Sequence, residues 1–258
     1  MKRLITILPL LSLLVISCHR EPYADATVDL NPAYVGEYVR FASYSTNASY
    51  IEWNMDDGYT YNEPVVDHFF VKPGAYDVRL SAFGDKGGIS TAVIPMEVIG
   101  SIVTIVVEDI DYEGTLIPDV EIYLFESMGD WNTGDIDLAI GPFYTDNYGE
   151  VTIDGLDYKE YYVDAFLDMG AWYYANWWLG DDENDTYWIE TQLLTGWEYH
   201  TFYAYVGAYD WPESKKSTNA EDLRKGRIHW SPESRQLKSA VKNHPKKENK
   251  TSVKRENR

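Results

Sequence analysis

The chain of 258 residues holds one cysteine, Cys18. It can form no internal disulfide, so its folding must rest on buried apolar surface. No apolar run reaches the roughly 20 residues that a bilayer-spanning helix needs. The most apolar stretch, residues 4–16, is followed within three positions by His19-Arg20. Catalytic signatures are missing too: there is no G-x-S-x-G elbow, no H-E-x-x-H helix, no glycine-rich phosphate loop and no thiol beyond the N-terminus. The five histidines, His19, His68, His200, His229 and His244, suggest no triad and no metal cluster. The expectation is a protein that is not an enzyme and has no cofactor.

Basic residues are scarce in most of the chain and concentrated at its end. Residues 18–212 carry 6 Lys/Arg against 36 Asp/Glu, and residues 213–258 carry 14 against 6. A body near −30 repels phosphate backbones, which excludes nucleic acid as its partner. The tail, near +8, has two open readings: a solvated tail without a partner, or an electrostatic arm for an anionic glycan, lipopolysaccharide or the acidic body. With few apolar residues, the segment 208–258 cannot offset its ordering entropy and is expected to be a disordered basic tail.

What the chain does have begins at the N-terminus. Met1-Lys2-Arg3, an apolar stretch and a small residue follow the order of a secretory signal. Val15-Ile16-Ser17-Cys18 resembles a bacterial lipobox. The resemblance implies a signal peptide over 1–17, a thioether-linked lipid on Cys18 and a tether over 18–24. Lipidation predicts a cell-envelope lipoprotein of a Gram-negative bacterium, held in the outer membrane and facing either the periplasm or the outside.

Residues 25–99 alternate in short runs punctuated by Gly, Pro, Asn and Asp, the pattern of a small all-β domain. In Tyr76-Asp77-Val78-Arg79-Leu80, the residues Tyr76, Val78 and Leu80 share one face, which predicts a half-buried strand. Trp53-Asn54-Met55-Asp56-Asp57-Gly58, then His68-Phe69-Phe70 and Pro73-Gly74-Ala75-Tyr76-Asp77-Val78-Arg79-Leu80, resemble the polycystic-kidney-disease (PKD) repeat. This chain departs from the family pattern at Met55, where Phe is usual, and at Asp56, where Gly is usual. The resemblance implies an immunoglobulin-like sandwich with Trp53 in its core and His68 as a structural histidine.

A second all-β unit is predicted over 101–207. Val120, Ile122 and Leu124 alternate with Asp119, Glu121 and Tyr123. The segments Pro118 to Phe125, Thr145-Asp146-Asn147-Tyr148-Gly149-Glu150-Val151 and Gly155-Leu156 with Tyr161-Tyr162-Val163 resemble the carboxypeptidase-regulatory-like or prealbumin-like sandwich. The fold class is therefore all-β, with two tandem β-sandwich domains, PKD/immunoglobulin-like and then prealbumin-like.

Two features of the second unit could bind. Residues 172–197 crowd Trp172, Tyr173, Tyr174, Trp177, Trp178, Tyr187, Trp188 and Trp197 around an acidic run. Aromatic faces beside carboxylates suit sugar rings as well as protein contacts. Trp177 and Trp178, which as neighbours in a strand cannot point the same way, and Trp131 in the long connection 126–141 are the candidate ligand-binding residues. Asp181, Asp182, Glu183 and Asp185, like Asp109, Asp111 and Glu113, read either as solvated acidic loops or as weak calcium sites. The functional expectation is a lipid-anchored, non-catalytic adhesion or binding protein that meets the membrane through its anchor and envelope proteins or glycans through its modules. The alternative is a glycan-binding lipoprotein using segment 172–197.

Overall fold

The computed structural model describes residues 20–170, 172–177, 189–210 and 251–254. The expected leader with Cys18, and most of the basic tail, lie outside the described residues. The first unit contains β1 (Ala26–Val28), β2 (Ala33–Tyr34), β3 (Val39–Ser43), β4 (Tyr50–Asn54), β5 (Thr60–Tyr61), β6 (Val65–His68), β7 (Gly74–Phe83) and β8 (Ile89–Ile99). They form a sheet β1-β3-β6 packed on a sheet β2-β8-β7-β4-β5. Between them lie Phe41, Trp53, Met55, Phe70, Val78 and Leu80. The alternation in β7 holds as predicted, since Val78, Leu80 and Ala82 are buried while Asp77 and Arg79 face solvent.

Both departures from the PKD pattern have a physical account. Met55 is fully buried and fills the core where a Phe is usual. Asp56 takes the left-handed conformation, φ 66°, that a Gly would supply. Its carboxylate then accepts the Asp77 backbone N–H at 2.9 Å, which ties the turn to β7.

The second unit contains β9 (Ser101–Asp109), β10 (Glu121–Phe125), α1 (Met128–Thr133), β11 (Ala139–Tyr144), β12 (Glu150–Leu156), β13 (Tyr162–Asp168), β14 (Trp172–Ala175), β15 (Glu198–Asp210) and β16 (Thr251–Lys254). The strand order is β11-β10-β13-β14-β15-β9-β12, with β16 paired to β15. β15 belongs to both halves of the sandwich. Over Tyr199–Val206 it runs parallel to β9, and over Gly207–Asp210 it runs antiparallel to β14. The enclosed core includes Val103, Ile105, Ile122, Leu124, Val163, Phe202 and Ala204.

Three expected boundaries shift. Residues 22 and 23, within the tether expected over 18–24, pack against the first unit: Pro22 is buried and Tyr23 exchanges two 2.9 Å backbone bonds with Thr46. The second unit runs to Asp210 rather than 207, carried by the β14 pairing. Within the tail expected to be disordered, residues 251–254 form β16 against the start of β15.

The two units meet at a close joint. Gly100 alone separates β8 from β9, and a Cβ there would lie 2.6 Å from the Gly155 backbone. Tyr158 donates its backbone N–H to Val71 O at 2.8 Å, and Gly196 does the same to Val35 O at 3.2 Å. The Tyr158 ring lies over Gly36, where any Cβ would clash with it, and stands edge-on to Phe69 at 5.8 Å.

Candidate functional site

Two of the three candidate aromatic residues, Trp131 and Trp177, are core. Trp131 is 2% exposed and donates its Nε1–H to Val163 O at 3.0 Å. Trp177 is 8% exposed, stacks on Phe166 with a 5° tilt, and donates to Asp164 Oδ2 at 3.1 Å. The cause is a third layer. α1 and the chain around Asn176 and Ile189 fold over the outer face of β10, β13 and β14, burying Tyr123, Phe125, Phe166 and Tyr173 there. Asn176 locks this layer by accepting the Ala165 N–H and donating to Val163 O. Trp131 and Trp177 are therefore structural residues, not ligand platforms. Trp178 lies outside the described residues.

The expected metal residues divide the same way. Asp181, Asp182, Glu183 and Asp185 lie outside the described residues. Asp109 is buried, its Oδ1 accepting the Asp111 N–H at 2.8 Å and its Oδ2 accepting the Tyr174 hydroxyl at 2.8 Å. Burial, reinforced by that bond to a carboxylate, pushes the Tyr174 phenol up to about 12. Among the described residues no cluster of three or more His, Cys, Asp or Glu side chains could hold a metal ion.

His68 has a structural setting. It is buried, with Nε2 2.9 Å from Asp57 Oδ2 and Nδ1 3.0 Å from the Tyr61 hydroxyl. Both ring nitrogens thus have a partner within hydrogen-bonding distance. The ring thereby pins the Asp57-Gly58 turn to β5 and β6.

Among the described residues, a surface that remains for binding is the end of the second unit farthest from the joint. β9 and β15 run toward it, and the loop 110–120 and the turn 145–149 form it. The T-D-N-Y-G motif builds this end. Thr145 Oγ1 accepts the Val120 N–H and donates to Ile117 O, while Asp146 Oδ1 accepts the Tyr148 and Glu150 N–H groups. Gly149 sits at φ 70° with Ile117 N only 2.9 Å from where a Cβ would be, so no other residue fits. On this braced frame Tyr148 is 73% exposed and Tyr112 is 69% exposed, with Leu116 beside the turn also exposed. Sequence reasoning passed over both tyrosines because it weighed density of aromatics rather than their place in turns.

Compared with known families, residues 19–98 match the PKD domain. The chain carries a PKD domain. No curated protein matches the chain. Among solved structures, the PKD1 domain of Vibrio anguillarum Epp is 20% identical, covering 31% of this chain and 95% of its own, at a TM-score of 0.27. A carbohydrate-binding module of the β-sandwich superfamily is 15% identical over 54% of this chain and 86% of its own, at 0.29. BcpA, the major pilin subunit of Bacillus cereus, is 12% identical over 74% of this chain and 71% of its own, at 0.27. Scores this low establish no common fold for the whole chain. The PKD domain and the layered all-β unit behind it stand on the residues and strand pairings above.

Proposed function

We propose that the chain is a lipid-anchored, non-catalytic binding protein of the cell envelope, in which the PKD domain carries the second, prealbumin-like sandwich away from the membrane. The lipobox resemblance at residues 15–18 supports the anchor. The observation that carries the binding role is the braced distal end. Tyr112 and Tyr148 present large, rigid, amphipathic rings at low entropic cost, the property that makes tyrosine effective in protein contact surfaces. An envelope protein is the partner class this end fits best. Glycan capture through segment 172–197 is the weaker reading, since Trp131 and Trp177 bury their rings and commit their N–H groups inside the protein.

The test is photo-crosslinking in living cells with benzoylphenylalanine at position 112 or 148. A discrete adduct is expected from both positions and none from Tyr59, an exposed residue of the PKD domain. Absence of adducts at 112 and 148 would remove the binding role from this end.

A further inference from the structure

The opposite extremity of the molecule, the end of the PKD domain away from the joint, gathers exposed apolar side chains. Residues 21–24, the β3–β4 loop and the β7–β8 turn meet there. Pairing places Tyr50 opposite Phe83, and Phe83 opposite Ile89, in one row across three strands on the outer face of the sheet. The Tyr50 and Phe83 rings lie 5.5 Å apart. Ile89 is 66% exposed and Tyr44, in the adjoining loop, is 62% exposed. Tyr23 adds a third exposed tyrosine beside them. Tyrosine combines an apolar body with a polar tip and is enriched where one end is apolar and the other wet.

The chain between Cys18 and this surface is short. Pro22 is buried, within 4 Å of where a Gly84 or Gly88 Cβ would be, and Asn47 Nδ2 donates to Glu21 O at 3.3 Å. Three residues separate Cys18 from Pro22, so the four steps between them reach at most about 14 Å even fully extended. The headgroup zone of one leaflet is itself about 5–8 Å deep. Among the described residues, a lipid on Cys18 therefore brings this end to the bilayer. The charges nearby are of both signs, with Arg20 and Lys86 among Glu21, Asp25 and Asp85, so no single-sign field keeps it from a mixed lipid surface.

We infer that Tyr23, Tyr44, Tyr50, Phe83 and Ile89 form a lipid-facing foot that seats the PKD domain in the headgroup region and sets the molecule upright on it. The inference rests on the lipid-anchor reading of Cys18, and one experiment separates the two. If Cys18 carries lipid, no native thiol remains, so Ile89→Cys, Tyr44→Cys and Tyr148→Cys can each be labelled with bimane in the full-length lipidated protein. Each is reconstituted into phosphatidylethanolamine–phosphatidylglycerol vesicles with brominated acyl chains. The expected result is flotation with vesicles and several-fold stronger quenching at 89 and 44 than at 148. Flotation with equal quenching at all three positions overturns the foot and keeps the anchor. Failure to float overturns the anchor, and the foot with it.

Discussion

The two units use buried tryptophan in different ways. In the PKD domain Trp53 lies between two sheets, its ring 5.8 Å from Phe41 and its Nε1–H donated to Glu63 O at 3.1 Å. Each strand there has one wet face, so hydrophobic alternation marks the core directly. In the second unit β10 and β13 are buried on both faces, and Trp131 and Trp177 lie on the outer one. A tryptophan in a long connection is then as deep as one in a strand. Density of aromatics in a sequence therefore indicates a further packed layer as readily as it indicates a binding surface.

The largest expected effect tests whether that outer layer is a core in its own right. Trp53→Ala and Trp131→Ala should each cost about 3–5 kcal/mol, the usual result of emptying a packed aromatic site. Denaturant titration of each variant measures this. Near-equal losses would show that the outer layer is as integral as the first core. A Trp131→Ala variant within about 1 kcal/mol of the wild type would reduce the layer to a loose covering.

Much of the PKD domain is legible in the residues. The Tyr76–Leu80 alternation gives β7, Asp57-Gly58 gives a turn, and His68 at its place in the repeat gives a structural histidine. Alternation at Ile122 and Leu124 is equally legible. Tyr123 and Phe125, on the face counted as polar, already carried the signal of a second buried side. α1 was passed over in the segment expected to be a long connection, although Ser127 caps the Asp130 N–H at 3.1 Å and Gly134 ends the helix at φ 65°. What sequence could not place was which sheet face those six helical residues would cover. That depends on contacts between Trp131 and Val163, far apart in the chain, and no local pattern encodes them.

The joint between the units gives an intermediate effect. Gly36 sits at φ 76° under the Tyr158 ring, so Gly36→Ala both strains the backbone and displaces that ring. The left-handed conformation alone costs roughly 1–2 kcal/mol. Gly58→Ala, at φ 99° with nothing within 4 Å of its Cβ, bears strain of the same kind without any displacement. Calorimetry should show Gly36→Ala splitting the melting of the two units into separate transitions while Gly58→Ala lowers only that of the PKD domain. Identical traces for both variants would mean that the ring over Gly36 does not couple the units.

The smallest effect concerns Asp157, at the same joint. Its carboxylate lies 3.9 Å from Lys72 Nζ, yet burial outweighs that attraction and holds the carboxyl above its ordinary range. A carboxyl whose proton is held more tightly in the folded state loses stability as pH rises from its unfolded to its folded pKa, and stays destabilising above that window. Asp157→Asn removes this penalty and leaves intact the backbone groups that bond Tyr161 and Ser101. The variant should melt slightly higher than the wild type at pH 7, with the gain vanishing once the pH falls below the unfolded-state carboxyl range. A lower melting temperature at pH 7 would show that the Lys72 contact contributes more than burial costs. The joint would then be held by charge as well as by the ring and backbone contacts around Tyr158.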